Sequence, residues 1–214
     1  MSEVASRLAS IRERITRAGR NPDEVAIVAV TKGFGVDACR EALQVGLSAL
    51  GENRVHEALG KMEQVDGAAW HLIGHLQTNK VRLAAGKFAL IQTVDSLHVA
   101  EAIARLAPGQ QVLVQVNVAM EVQKSGVYPA EAPPLIDAVA GLLDVTGLMA
   151  MGPSHRDPKA AFDDLRRLRD EAEQRIGKKL PVLSMGMSGD FEAALAAGST
   201  MLRLGQALFG PRPT

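Results

Sequence analysis

Lys32 closes the run VAIVAVTK, whose β-branched residues read as a strand and whose alternation puts Ala26, Val28, Val30 and Lys32 on one face. An ammonium at the inner end of a buried strand loses hydration, which lowers its pKa and leaves an amine able to form a Schiff base with an aldehyde. The alternative is a lysine that extends past the strand end into water. A second group of residues points to an anion. In LSMGMSGD, Ser184, Gly186 and Ser188 alternate on one face before Ser188-Gly189-Asp190 opens a helix, and Gly205-Gln206 does the same further on. Free N–H groups at two helix starts, a serine hydroxyl and no side chain at Gly189 or Gly205 together suit phosphate. Either glycine alone would serve only a tight turn. Between them, Arg203 shares the inward parity of Met201, while Leu202 and Leu204 face the other way. A buried guanidinium needs an acceptor, either a carboxylate such as Glu192 or the ring nitrogen of a bound aromatic cofactor.

Other polar residues carry weaker signals. Glu52, Asn53, His75, Asp95 and Asn117 fall where strands should end, and Met151 and Gly152 follow another strand. Asparagines in such places often bond neighbouring backbone. His71 and His75 have i, i+4 spacing, but on a strand four residues span about 13 Å, too far for one ion, so no metal site is expected. Cys39, the single cysteine, lies on the apolar stripe of a helix and reads as core. Lys124 reads as a solvated loop lysine.

These residues need elements that bring them together. Val4, Leu8, Ile11 and Ile15 form one helical stripe that stops at Gly19 and Asn21-Pro22. After it, strand-like and helix-like segments alternate in about eight units, the pattern of a closed parallel barrel with function at the C-terminal strand ends. An open doubly wound sheet would place a Gly-rich turn after its first strand, whereas here that turn reads Lys32-Gly33-Phe34-Gly35. The expected architecture is α/β: a single (β/α)8 TIM barrel over residues 1–214, with an extra N-terminal helix packed outside. Apolar residues are 47% of the chain but aromatics only 3%, so aliphatic side chains and methionine must fill the interior. The 24 Lys and Arg balance 24 Asp and Glu, so no field favours nucleic acid or an anionic membrane, and any anion site is local. The charged N-terminus and the lack of a bilayer-length apolar run predict a soluble, cytoplasmic protein. No long exposed apolar stripe is evident, which predicts a monomer.

VAVTK around Lys32, ALGENRVHEA, WHLIGHLQTNK, VLVQVNV with a later KSGV, GLMAM, and LSMGMSGDFEAALAAGSTMLRLGQALFG occur in order along nearly the whole chain. Together they resemble the pyridoxal phosphate homeostasis proteins (the YggS/PROSC family), whose barrel is like the N-terminal domain of alanine racemase. The resemblance implies pyridoxal 5'-phosphate (PLP) held as an internal aldimine on Lys32. Asn53 would lie by the cofactor, Arg203 would face its pyridine nitrogen, and Ser188 with the backbone at Gly205 and Gln206 would bind its phosphate. Met149 and Met151 would line the pocket and His75 would border it. Two positions depart from the family pattern: Gly-Phe-Gly follows Lys32, and Gly189 stands where an acidic residue is common. Neither removes a proposed ligand.

The resemblance also bears on activity. An arginine holds its proton far above neutral pH and does not protonate the ring nitrogen, so the electron sink is weak. The related racemases use a further acid/base residue from a second domain; 214 residues are expected to leave no room for one, and Tyr128 is not placed to replace it. The expectation is therefore a PLP protein that stores, buffers or delivers the cofactor, with PLP-dependent apoenzymes as partners and no catalytic residues. The alternatives are a small PLP-dependent amino-acid racemase, or a barrel enzyme that uses Lys32 on a phosphorylated sugar without a cofactor.

Overall fold

A computed structural model describes residues 2–212. Eight strands, β1 (Ala26–Val30), β2 (Ala49–Glu52), β3 (Ala69–Leu72), β4 (Leu90–Val94), β5 (Gln111–Gln115), β6 (Asp144–Met149), β7 (Val182–Ser184) and β8 (Met201–Leu204), pair in chain order. All pairs are parallel, and β8 closes on β1 with Val28 opposite Arg203. The helices are α1 (Glu3–Arg17), α2 (Val36–Gln44), α3 (Val55–Met62), α4 (Val81–Ala84), α5 (Leu97–Leu106), α6 (Ala132–Ala140), α7 (Lys159–Ile176), α8 (Phe191–Ala196) and α9 (Gln206–Phe209). Barrel, strand order and outer N-terminal helix agree with the expectation.

Strand alternation divides the core into two layers. Val28, Leu90, Leu113, Met149 and Met201 pack inside the barrel. Ile27, Ala29, Leu202 and Leu204 point outward and join the larger cluster under the helices. Methionines from β6 and β8 thus occupy interior space in a chain with few aromatic rings.

The closing helix α9 has only four residues, and α1 completes the outer ring beside it. Val4, Leu8, Ile11 and Ile15 are buried, and Arg7 donates to the Leu208 carbonyl at 3.3 Å. Arg14 pairs with Glu192 and lies 4.2 Å over the Phe191 ring. Glu192 is therefore the partner of Arg14 on the outside, which removes it as an acceptor for the inward Arg203.

Two segments differ from the sequence reading. Strand β7 stops at Ser184, so Gly186 and Ser188 lie in the loop beyond it. Between β3 and β4, QTNKVRLAAGK, one of the helix-like segments of the eight expected units, yields a 3-10 turn, Thr78–Lys80, and the single-turn α4. Thr78 and Asn79 are poor helix formers, and Gly86, at φ +75°, ends the segment after little more than one turn. No helix among the described residues is long and apolar enough to cross a membrane.

Candidate functional site

Strand β1 delivers Lys32 into a turn, Thr31 to Phe34, closed by the Phe34 N–H on the Thr31 carbonyl at 3.0 Å. Gly33 takes φ +75° at the third position, where a type II turn favours glycine. Lys32 opens on a cavity of about 560 Å³ at the C-terminal end of the barrel, within the range of roughly 300–1,000 Å³ typical of small-molecule sites. Burial lowers the pKa of its amine; Arg212 and Arg203 lower it further, against an opposing pull from Glu52.

Eight of the nine residues that the resemblance assigns to the cofactor line this one cavity: Lys32, Asn53, Met149, Met151, Ser188, Arg203, Gly205 and Gln206. Asn53 sits close because Gly74 packs on it; a Cβ at Gly74 would stand 2.1 Å from the Asn53 carbonyl oxygen. Ser188 Oγ accepts the Ala207 N–H at 3.1 Å, tying the loop after β7 to the start of α9. The Ser188 and Gly189 N–H groups have no hydrogen-bond partner among the described residues, and the space beside Gly189 is open. The ninth residue, His75, does not line the cavity. Strand β3 ends at Leu72, Ile73 takes the lining position, and the chain carries His75 outward to pair with Asp95 at 3.2 Å.

Arg203 is buried and tightly held. Its NH1 donates to the Ser184 carbonyl and hydroxyl at 2.7 and 2.8 Å, and its NH2 to the Ala150 carbonyl at 2.8 Å. Ser184 Oγ donates to Gln92 Oε1 at 2.6 Å, and Gln92 Nε2 meets His71 Nδ1 at 3.0 Å. With Gln92 donating, Nδ1 accepts and the ring proton sits on Nε2. Burial pushes the His71 pKa down to about 4, so this imidazole is neutral. Burial also brings the Arg203 pKa down to about 10, with Asp190 opposing. Arg203 is still a cation at neutral pH. Arg203 Nε has no hydrogen-bond partner among the described residues and is available to the cavity.

Three features escaped the sequence reading. Arg212, Phe34 and Met187 also line the cavity; none lies on a strand whose alternation would signal it. Lys124 is not solvated: it is mostly buried, donating to the Gly152 carbonyl at 2.5 Å and pairing with Glu121 at 3.0 Å. Asn117 holds this loop by donating to the Glu121 and Lys124 carbonyls, so it serves backbone. Finally, Glu52, Lys61 and Glu57 form a buried cluster under Lys32. Burial raises the Glu52 pKa despite its bonds to Lys61 and Thr31. For Lys61, the Glu52 and Glu57 bonds more than offset burial and raise the pKa. The signal for this cluster was Glu57-Lys61 at i, i+4, with Lys61 on the same helical face as Val55 and Ala58.

A strand-end lysine, an inward arginine and a serine-glycine loop at one mouth of a closed parallel barrel define a lysine-bearing barrel of the alanine racemase N-terminal type. The family model described as "Alanine racemase, N-terminal domain" matches residues 6–213. Proteins called pyridoxal phosphate homeostasis protein are similar along the whole chain. That of Escherichia coli K12 is 39% identical over 99% of this chain and 98% of its own. That of Pseudomonas aeruginosa is 40% identical, over 99% and 97%. The chain belongs to the pyridoxal phosphate homeostasis protein family. Among solved structures, PipY of Synechococcus elongatus with PLP bound superposes with a TM-score of 0.84 at 34% identity, covering 97% of this chain and all of that one. Alanine racemase from Corynebacterium glutamicum shares the fold, with a TM-score of 0.78 at 19% identity, covering 99% of this chain and 61% of its own.

Proposed function

We propose that this protein binds PLP, linked through Lys32 Nζ as a Schiff base, and takes part in intracellular PLP homeostasis by storing, buffering or delivering the cofactor. The observation that carries this reading is the convergence of Lys32, Arg203 and Ser188 on one cavity. Lys32 supplies an amine of lowered pKa to the aldehyde, with loss of water. Arg203 Nε is free to donate to the pyridine nitrogen, and Ser188, Gly189 and Gln206 offer donors to the phosphate. Asn53, Met149 and Met151 would pack around the ring. Bound PLP would supply an electron sink, but a guanidinium held by three hydrogen bonds leaves the ring nitrogen unprotonated and that sink weak.

A low capacity for amino-acid turnover follows from the same lining. Among the described residues, Lys32 is its only side chain suited to carry a proton at neutral pH; no carboxylate, imidazole or phenol joins it. Tyr128 and His75 stand outside it. The family and the PLP-bound PipY support this reading over a racemase. We further infer a single domain over residues 1–214 that acts as a cytoplasmic monomer, with PLP-dependent apoenzymes as recipients.

Incubation with PLP should give a violet absorption band that disappears on borohydride reduction, with the added mass on Lys32 and none in Lys32→Ala. A protein that stays colourless overturns the proposal. Lys32-dependent α-proton exchange on an added amino acid, faster than with free PLP, would replace it with the racemase reading.

A further inference from the structure

The buried cluster beneath Lys32 has no part in the reading above. Lys61 Nζ donates to three acceptors, the Thr31 carbonyl at 2.9 Å, Glu52 Oε1 at 2.6 Å and Glu57 Oε1 at 2.9 Å, which accounts for all three ammonium protons. Glu52 Oε1 also accepts from Thr31 Oγ1 at 2.6 Å, and Glu57 Oε1 accepts the Gly33 N–H at 2.9 Å. Stability alone gives a poor reason for such a cluster, because apolar packing in place of buried ion pairs is often neutral or stabilising. The bonds have a clear geometric pattern instead. They grip the peptide before Lys32 through the Thr31 carbonyl and the peptide after it through the Gly33 N–H, and they take up the Thr31 side chain. Lys32 lies between two held points.

We propose that Lys61, acting with Glu52 and Glu57, is a positioning residue that fixes the turn carrying Lys32 and so the direction in which Nζ enters the cavity. The proposal rests on Lys32 being the reactive amine of the site. The same bonds explain why the turn after β1 can still present Lys32 inward: the Thr31 carbonyl serves both Phe34 N–H and Lys61. Without the cluster, Lys32 would swing toward water, regain hydration and become an ordinary lysine.

The test uses two variants of the full chain. Lys61→Met with Glu52→Gln removes opposite charges together and leaves as the remaining charge only Glu57, whose carboxylate is partly exposed. Glu57→Leu removes the acceptor for the Gly33 N–H at a half-buried position that tolerates change. Trace acetic anhydride applied to apoprotein across a range of pH reads the reactivity of Lys32 against an exposed lysine such as Lys87, and needs no cofactor. PLP uptake at Lys32, trapped by borohydride, is the second readout. In folded variants with an unfolding midpoint near that of the parent, both rates at neutral pH should fall by about tenfold or more. Because Glu52 itself raises the Lys32 pKa, the pH profile is read in Glu57→Leu, where the acetylation profile of Lys32 should also move up in pH toward that of Lys87, a shift that loss of packing elsewhere would not produce. A parental Lys32 profile in Glu57→Leu, or parental rates of acetylation and PLP uptake in the folded variants, overturns the proposal, and if the double variant fails to fold, Glu57→Leu alone decides. A parent chain whose Lys32 acetylates readily but never takes up PLP would instead refute the proposed function, leaving the acetylation comparison valid.

Discussion

Arg212 and Arg203 both depress the Lys32 pKa, but they differ in what else they do. Arg203 is buried with three hydrogen bonds to the barrel, whereas Arg212 is exposed. Arg212→Ala should therefore raise the Lys32 pKa, shifting its acetylation profile to higher pH, with the denaturation midpoint unchanged. Arg203→Met should shift the same profile and also leave the Ala150 carbonyl without a donor, the Ser184 carbonyl keeping the Ala150 N–H, at a cost of about 2 kcal/mol or more in a urea titration. An Arg212→Ala chain with the parental Lys32 profile would show that this cation does not act on the amine. The contrast also marks what sequence could reveal. Lys32 and Arg203 were legible because a strand alternates with period two and a charged residue on its inward parity stands out. Arg212 follows the last element, where no period operates, and His75 was misplaced because it lies three residues past the end of β3.

At the scale of elements, the helix with the clearest stripe was read most accurately. Val4, Leu8, Ile11 and Ile15 are the buried residues of α1, and that helix does more than decorate the barrel. It packs where α9 offers only four residues, and through Arg7 and Arg14 it contacts α9 and α8, the two helices that follow the candidate phosphate loops. Ile15→Ala should cost about 2–5 kcal/mol, since the side chain is fully buried and the barrel wall cannot collapse into the gap. Equilibrium urea unfolding measures this, and a loss below 1 kcal/mol, the scale of a surface change, would mean that α1 is dispensable to the fold. The segment after β3 went the other way. Its pattern read as helical, but the composition near Thr78 and Gly86 permits little more than one turn, a limit that periodicity does not register. The loop after β5 was obscure for a further reason: Asn117, Glu121 and Lys124 satisfy one another across a turn, and such bonds follow from the folded path of the chain.

Across the whole molecule, the balance of 24 basic and 24 acidic residues leaves local electrostatics to decide how stability responds to pH. One chain of bonds spans the barrel interior, from His71 on β3 through Gln92 on β4 and Ser184 on β7 to Arg203 on β8. It requires His71 Nδ1 to accept a hydrogen bond from Gln92, so protonating that nitrogen would break the first link and bury a charge. The His71 pKa is about 4 in the folded protein against 6.5 for an ordinary histidine. The unfolded chain therefore takes up this proton more readily than the folded one. Stability from His71 is complete above pH 6.5 and falls away as the pH drops toward 4, by about 3 kcal/mol in all. His71→Gln keeps an acceptor for Gln92 but does not titrate. Urea unfolding of both chains between pH 7 and 4 cancels the carboxylates they share, so the difference between the curves isolates His71. The gap in stability between parent and variant should move in the variant's favour by about 3 kcal/mol over that interval. Parallel curves would mean that His71 binds its proton equally well in the folded and unfolded chains, and the interior bond chain would then have no need of a neutral imidazole.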